Sequence, residues 1–135
     1  LDKDTTGLIL LTNDGRMTNY LTHPRYGHEK EYIVETFGAI SDSQIQEMRT
    51  WVEILWKLTL PCVIDRVAAW KFSIVLTEWR NRQIRRMVES VGSKVKKLKR
   101  IRVENIILWE LAEGSYKRLS KWQKEALFQK IGISE

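Results

Sequence analysis

From Phe72 to Val91 the spacing of apolar residues changes. Phe72, Ile74 and Leu76 alternate with Ser73, Val75 and Thr77, the period of a strand with one face against a core. Past Arg80 the period lengthens. Ile84, Met87, Val88 and Val91 share one helical face with arginines opposite, so a helix is predicted over 80–91, with Gly92 as its C-cap. A strand feeding directly into an amphipathic helix requires a mixed architecture.

The remaining segments extend that mixture. Gly7 to Thr12 is a short apolar run that reads as a buried strand, followed by an Asn13-Asp14-Gly15 turn in which Asp14 can cap a short helix ending before His23-Pro24. Glu31 to Phe37 reads as a strand ending at Gly38, and Ser41-Asp42-Ser43 opens a helix carrying Ile45, Met48 and Val52. Pro61 to Thr77 reads as two strands. Val95 to Leu108 reads as another, with Val95, Ile101, Val103 and Ile107 on one parity, and Ser120 to Ile131 as a last helix. The predicted class is α+β, a mixed and largely antiparallel sheet with flanking helices.

At 135 residues the chain suits one domain or most of one. No apolar run approaches the roughly 20 residues of a membrane-spanning helix, and Leu1-Asp2-Lys3-Asp4 has no signal-peptide character. One cysteine, Cys62, argues against a disulfide framework and for a reducing compartment, so a cytoplasmic protein is expected. Charge is concentrated: 80–102 holds ten basic residues and one acid, Glu89, a local +9 in a chain of net +6. Such a block can neutralise several phosphates, the footprint of a nucleic-acid binder. A solvated basic face, or an adaptor for acidic proteins, carries the same composition.

Chemistry-bearing residues are few. His23 and His28 have no cysteine or histidine at ligand spacing, so no metal is expected, and no glycine-rich phosphate loop is present. What remains is carboxylates beside an excess of arginine. Asp2 and Asp4 flank a lysine before the first apolar run, and a carboxylate held by an arginine stays ionised and suits a nucleophile. Plainer readings suit both aspartates; Asp4 before Thr5-Thr6 fits a simple turn residue.

Residues 1–15, Leu-Asp-Lys-Asp-Thr-Thr-Gly-Leu-Ile-Leu-Leu-Thr-Asn-Asp-Gly, resemble the catalytic motif of the RsuA/RluB/RluE/RluF family of ribosomal RNA pseudouridine synthases. Leu21-Thr22-His23-Pro24 and Glu29-Lys30-Glu31-Tyr32 resemble the family's second motif. Arg80-Asn81-Arg82-Gln83-Ile84-Arg85-Arg86-Met87 resembles the third, and Leu98-Lys99-Arg100-Ile101-Arg102 the strand after it. The four matches stand in family order. The resemblance implies that Asp2 is the nucleophile, that Tyr32 stacks on the target base and assists proton removal from C5, and that Arg85 pairs with the aspartate. Leu98 is to pack beneath the base, Lys30 to play a supporting, substrate-binding part, and Arg80, Arg82 and Arg86 to bind the RNA substrate.

The implied reaction breaks the N-glycosidic bond of a flipped uridine, turns the uracil and rejoins it through C5, with no cofactor and no metal. Whether the aspartate attacks the ribose, attacks the ring or first acts as a base stays open. The implied partner is ribosomal RNA or a pre-ribosomal particle, met by a monomer with no membrane attachment. A catalytically inactive RNA-binding fragment using 80–102 is the alternative.

Two departures from the family stand out. The arginine that usually precedes Leu-Asp, a strand-bearing segment before it and an S4-type module have no counterpart, so 1–135 is expected to be a partial catalytic domain, poorly stable and weakly active alone. The second is tryptophan. Trp79 stands where the family has glycine, Trp109 where glycine follows the last strand, and Trp51 and Trp56 where glycines flank a strand. Trp70 falls in a predicted hairpin turn and Trp122 early in a predicted helix. A tryptophan at such turns is expected to be both exposed and strained. UGA codons meant as glycine but translated as tryptophan account for the pattern. Six genuine tryptophans, some of them base-stacking platforms, are the alternative.

Overall fold

The computed structural model describes residues 1–23, 26–78 and 80–132. In chain order its elements are β1 (Thr5–Gly7), α1 (Gly15–Thr22), β2 (Lys30–Thr36), α2 (Asp42–Thr50), β3 (Glu53–Ile54), β4 (Lys57–Leu58), β5 (Val63–Ala68), β6 (Lys71–Leu76), α3 (Gln83–Ser90), β7 (Val95–Val103), β8 (Ile106–Ile107) and α4 (Lys121–Ile131). The main sheet runs β1-β7-β2-β6-β5, with β8 folded back on β7. Only the β1–β7 pairing is parallel, so the predicted mixed, largely antiparallel α+β class is the class observed.

Three helices start where their caps dictate. Asp14 accepts from the Arg16 amide, and Ser41 and Ser120 each form a reciprocal capping box, with Gln44 and Gln123 respectively. Val34, Phe72, Ile74, Leu76 and Leu98 line one sheet face, and Ile45, Met48, Ile84, Met87 and Val88 of α2 and α3 complete that core. A second cluster joins Leu8, Met17, Val103 and Ile106 to Leu127 and Ile131 of α4.

The structure departs from the sequence reading in four places. The strand expected over Gly7–Thr12 instead ends at Gly7. Gly7 has φ +109°, and a Cβ there would lie 2.1 Å from the Arg100 carbonyl, so β1 presses directly on β7 as only glycine permits. Beyond Leu8 the chain leaves the sheet, and Leu11 is exposed.

The helix expected from Arg80 begins at Gln83. Arg82 sits in the left-handed region (φ 51°, ψ 39°) and ends the preceding turn; Gly92, at φ +88°, follows the C-terminus as expected. The β3–β4 hairpin had no periodic signal to announce it.

Finally, the single parity expected along Val95–Leu108 is broken. Glu35 pairs with Lys97 but Thr36 with Val95, and Tyr32 with Arg100 but Glu31 with Arg102, so β7 carries an extra residue at Lys96 and at Ile101. Each bulge switches the parity, which is why Val95, Leu98 and Val103 are all buried while Ile101 is not.

The tryptophans split the expectation made for them. Trp51, Trp56, Trp70, Trp109 and Trp122 are all more than half exposed. Of these five only Trp56 (φ 66°) has a left-handed backbone; Trp51, at φ −179°, is ordinary extended chain. Trp79, like Pro24 of the second motif, lies outside the described residues.

Candidate active site

The sheet face that builds the core runs on, past α3, into an open cleft. Antiparallel pairing places Lys30 beside Leu76, and Tyr32 between Ile74 and Arg100, all directed to that face. Parallel pairing of Thr5 with Leu98 brings the N-terminal segment over the same spot, and a turn in which the Thr5 amide donates to the Asp2 carbonyl (3.0 Å) folds Asp2 back above it. The first turn of α3 closes the other side.

The cleft encloses about 280 Å³, just below the roughly 300–1,000 Å³ usual for small-molecule sites, a size suited to one base. Of the eight residues singled out from the sequence, Asp2, Lys30, Tyr32, Arg80, Arg82, Arg85 and Leu98 line it. Arg86 does not: its guanidinium donates to the Asn81 carbonyl and side chain, both at 3.0 Å, and so braces the turn before α3.

The partners differ from those expected. Asp2 meets Arg82, Oδ2 to Nη1 at 3.7 Å, with both side chains about 40% exposed. A pair so long and so wet contributes at most about 1 kcal/mol, enough to bias an orientation but not to lock it. Arg85, which was to hold the aspartate, donates instead to the Asp4 carbonyl at 2.9 Å, and its buried Nε has no partner. The reason lies in the helix start. Because α3 begins at Gln83, Arg82 projects from the turn towards Asp2 while Arg85 reaches the backbone beyond it. Arg80 is also a structural residue: it donates to the carbonyls of Ile54, Lys57 and Leu58 and pairs with Glu78, tying the β3–β4 hairpin to the cleft rim.

Burial governs the two titratable groups on β2. It pushes the Tyr32 phenol up, a shift that the Arg100 guanidinium partly offsets and the Asp2 carboxylate adds to. It pulls the Lys30 ammonium down, helped by repulsion from Arg100. Leu98, 7% exposed, gives the floor an apolar surface. Together these supply an anionic oxygen, an aromatic ring, an apolar floor and several cations around a space for one planar base.

Sequence reasoning missed Arg100, Glu78 and Gln83, which also line the cleft. Arg100 was findable: it shares the parity of Leu98 within one quoted motif. Gln83 is 5% exposed and its Oε1 is buried without a partner, features that depend on the α3 turn and left no trace in the pattern.

Residues 1–90 match the family described as RNA pseudouridylate synthase. The chain belongs to that family. The dual-specificity RNA pseudouridine synthase RluF of Escherichia coli (strain K12) is 40% identical over 131 residues, covering 97% of this chain and 45% of that protein. Ribosomal small subunit pseudouridine synthase A of Yersinia pestis is 36% identical, covering 89% of this chain and 52% of that one. A crystal structure of a pseudouridylate synthase matches with a TM-score of 0.89 at 30% identity, over 94% of this chain and 56% of that chain. The α+β sheet described above is therefore the pseudouridylate synthase fold. The chain spans about half the length of the curated relatives it matches.

Proposed function

We propose that this chain forms the catalytic part of an enzyme that converts a uridine of ribosomal RNA to pseudouridine. The observation that carries the reading is convergence: Asp2, Tyr32 and Leu98, far apart in sequence, meet in one base-sized cleft with Arg82 against the aspartate. The names of the relatives, which include ribosomal small subunit and large subunit synthases, support ribosomal RNA as substrate.

In this reading the target nucleotide leaves its stack and enters the cleft, a step that is cheaper in a loop than in a helix. Asp2 is the nucleophile. The N1–C1′ bond breaks and a C5–C1′ bond forms; the proton on C5 is lost and one proton is taken up at N1, so substrate and product are isomers and no cofactor or electron carrier is consumed. Tyr32 stacks on the ring and receives the C5 proton. Leu98 supports the other side of the base, and Lys30 and Arg82 bring positive charge to the sugar and phosphate. The enzyme acts in the cytoplasm as a monomer on ribosomal RNA or a pre-ribosomal particle.

The test uses the protein expressed from the complete gene that carries this chain. Ribosomal RNA from its own organism, made by transcription in vitro and therefore unmodified, is incubated with the protein and mapped for carbodiimide-reactive pseudouridine. One or a few new sites are expected. RNA that is bound but left without a single pseudouridine contradicts the reading and favours an RNA-binding module.

A further inference from the structure

Arg100 lines the cleft beside Tyr32, and the reading above gives it no task. We infer that it is a positioning residue for Tyr32, fixing the phenol in the cleft and keeping a positive charge at the oxygen that receives the C5 proton. The inference rests on the proposed isomerisation for its chemistry, but its geometry stands alone.

Tyr32 and Arg100 are direct partners across β2 and β7, so their side chains rise side by side from one face. The bulge at Ile101 follows immediately, and it separates two arginines with different fates. Arg102, beyond the bulge, is consumed by Glu31 at 2.9 Å and Glu29 at 3.1 Å. Arg100, before it, stays on the cleft side with Leu98.

The stem of Arg100 is clamped. Its Nε donates to the Leu8 carbonyl and its own carbonyl accepts from the Leu8 amide, both at 2.8 Å, while Gly7 presses against its backbone. One side of the guanidinium is thus committed to Leu8, which aims the rest without neutralising it. The charged groups lining the cleft with Tyr32 are Asp2, Lys30, Glu78, Arg80, Arg82 and Arg85. Arg85 is engaged with the Asp4 carbonyl and Arg80 with the hairpin, Arg82 leans towards Asp2, and Lys30 lies two residues along β2, whereas Arg100 is the direct cross-strand neighbour of Tyr32 and the cation placed for its phenol. Its charge opposes the upward push that burial gives Tyr32.

The chemistry explains why a cation belongs there. When C5–H breaks, the electron pair stays in the uracil ring, restoring its conjugation, and the proton goes to the Tyr32 oxygen. That oxygen takes a proton only as a phenolate, and a phenolate in a half-buried cleft needs a neighbouring positive charge.

The experiment compares wild type with Arg100→Met, which keeps the bulk, and Arg100→Lys, which keeps the charge, in the protein from the complete gene. The first readout is the phenol itself, the phenolate absorbance that Tyr32 contributes on alkaline titration, isolated by subtracting Tyr32→Phe. In Arg100→Met the titration moves to higher pH, and Arg100→Lys restores part of the shift. The second is single-turnover release of tritium from [5-³H]uridine RNA. Arg100→Met lowers the rate by about 10²-fold at neutral pH, the scale of a general-base contribution, and moves its rise with pH upward.

An unmoved phenol titration with an unmoved pH profile overturns the inference, even if the rate falls, because a purely structural clamp has that signature. Weaker RNA binding with a salt slope lowered by about 1 and no change in profile also overturns it, making Arg100 a phosphate contact. If wild type releases no tritium at all, the proposed isomerisation fails instead, while the phenol titration still judges the contact between Arg100 and Tyr32.

Discussion

Trp56 is poorly suited to its place. It occupies the second position of the β3–β4 turn with φ 66°, after Leu55 at φ 49°, and is 96% exposed. A hairpin turn with two left-handed residues favours glycine or asparagine, because a Cβ there collides with the neighbouring carbonyl. The side chain recovers almost no burial in return. Trp56→Gly is therefore expected to stabilise the chain by about 1 kcal/mol, read as a higher urea midpoint at unchanged slope. The six tryptophan codons bear on the same point: UGA at 51, 56, 70, 79, 109 and 122 supports recoded glycine, and UGG at all six removes it. Among the five described positions, backbone geometry favours glycine at 56 alone, and exposure favours a small residue at all five.

The site was legible at the level of membership but not of pairing. That Asp2, Tyr32 and Leu98 line one cleft could be anticipated from the motifs, because each motif holds its residue type at a fixed place. That Arg82 rather than Arg85 meets Asp2 depends on where α3 starts, and the arginine-rich stretch offers no cap to mark that start.

Among the elements, those with local signals were legible. The helices opened by Asp14, Ser41 and Ser120, and the alternating β6 strand, carry caps or a period within their own sequence. The bulges at Lys96 and Ile101 do not, because a bulge is a relation between β7 and β2 that neither strand encodes alone. The β3–β4 hairpin is similar, since what holds it is remote. Thr59 closes it by exchanging hydrogen bonds with Val52, and Arg80, more than twenty residues away, gathers three of its carbonyls. Arg80→Ala is expected to cost about 2–3 kcal/mol, since the charged hydrogen bonds of a mostly buried guanidinium to three hairpin carbonyls are lost. Amide exchange over 53–59 should accelerate more than in β2 or β6. Equal acceleration throughout would show that Arg80 supports the whole sheet rather than the hairpin.

For the whole molecule, the +9 segment is not one surface. Arg102 is taken up by Glu29 and Glu31, Arg86 by Asn81, and Arg80 by the hairpin. β7 divides what is left. Leu98 and Arg100 face the cleft, whereas exposed Lys97 and Lys99 rise from the opposite face, Lys97 beside Glu35. RNA engaged at the cleft is then expected to feel Lys97 and Lys99 only at long range. Lys97→Ala and Lys99→Ala should leave the salt slope of RNA binding unchanged, while Arg82→Ala lowers it by about 1. A drop of about 1 for each lysine would show that the RNA wraps both faces of the sheet.

The central claim is that Asp2 performs the isomerisation in this cleft, and its most direct test compares Asp2→Ala with wild type, both from the complete gene. The measurement is single-turnover tritium release from [5-³H]uridine ribosomal RNA, with RNA affinity recorded on the same samples. Loss of the nucleophile should reduce release by about 10³-fold or more while affinity stays close to wild type, because the Asp2–Arg82 pair is loose and solvated. Release that persists in Asp2→Ala at the wild-type rate would contradict the account.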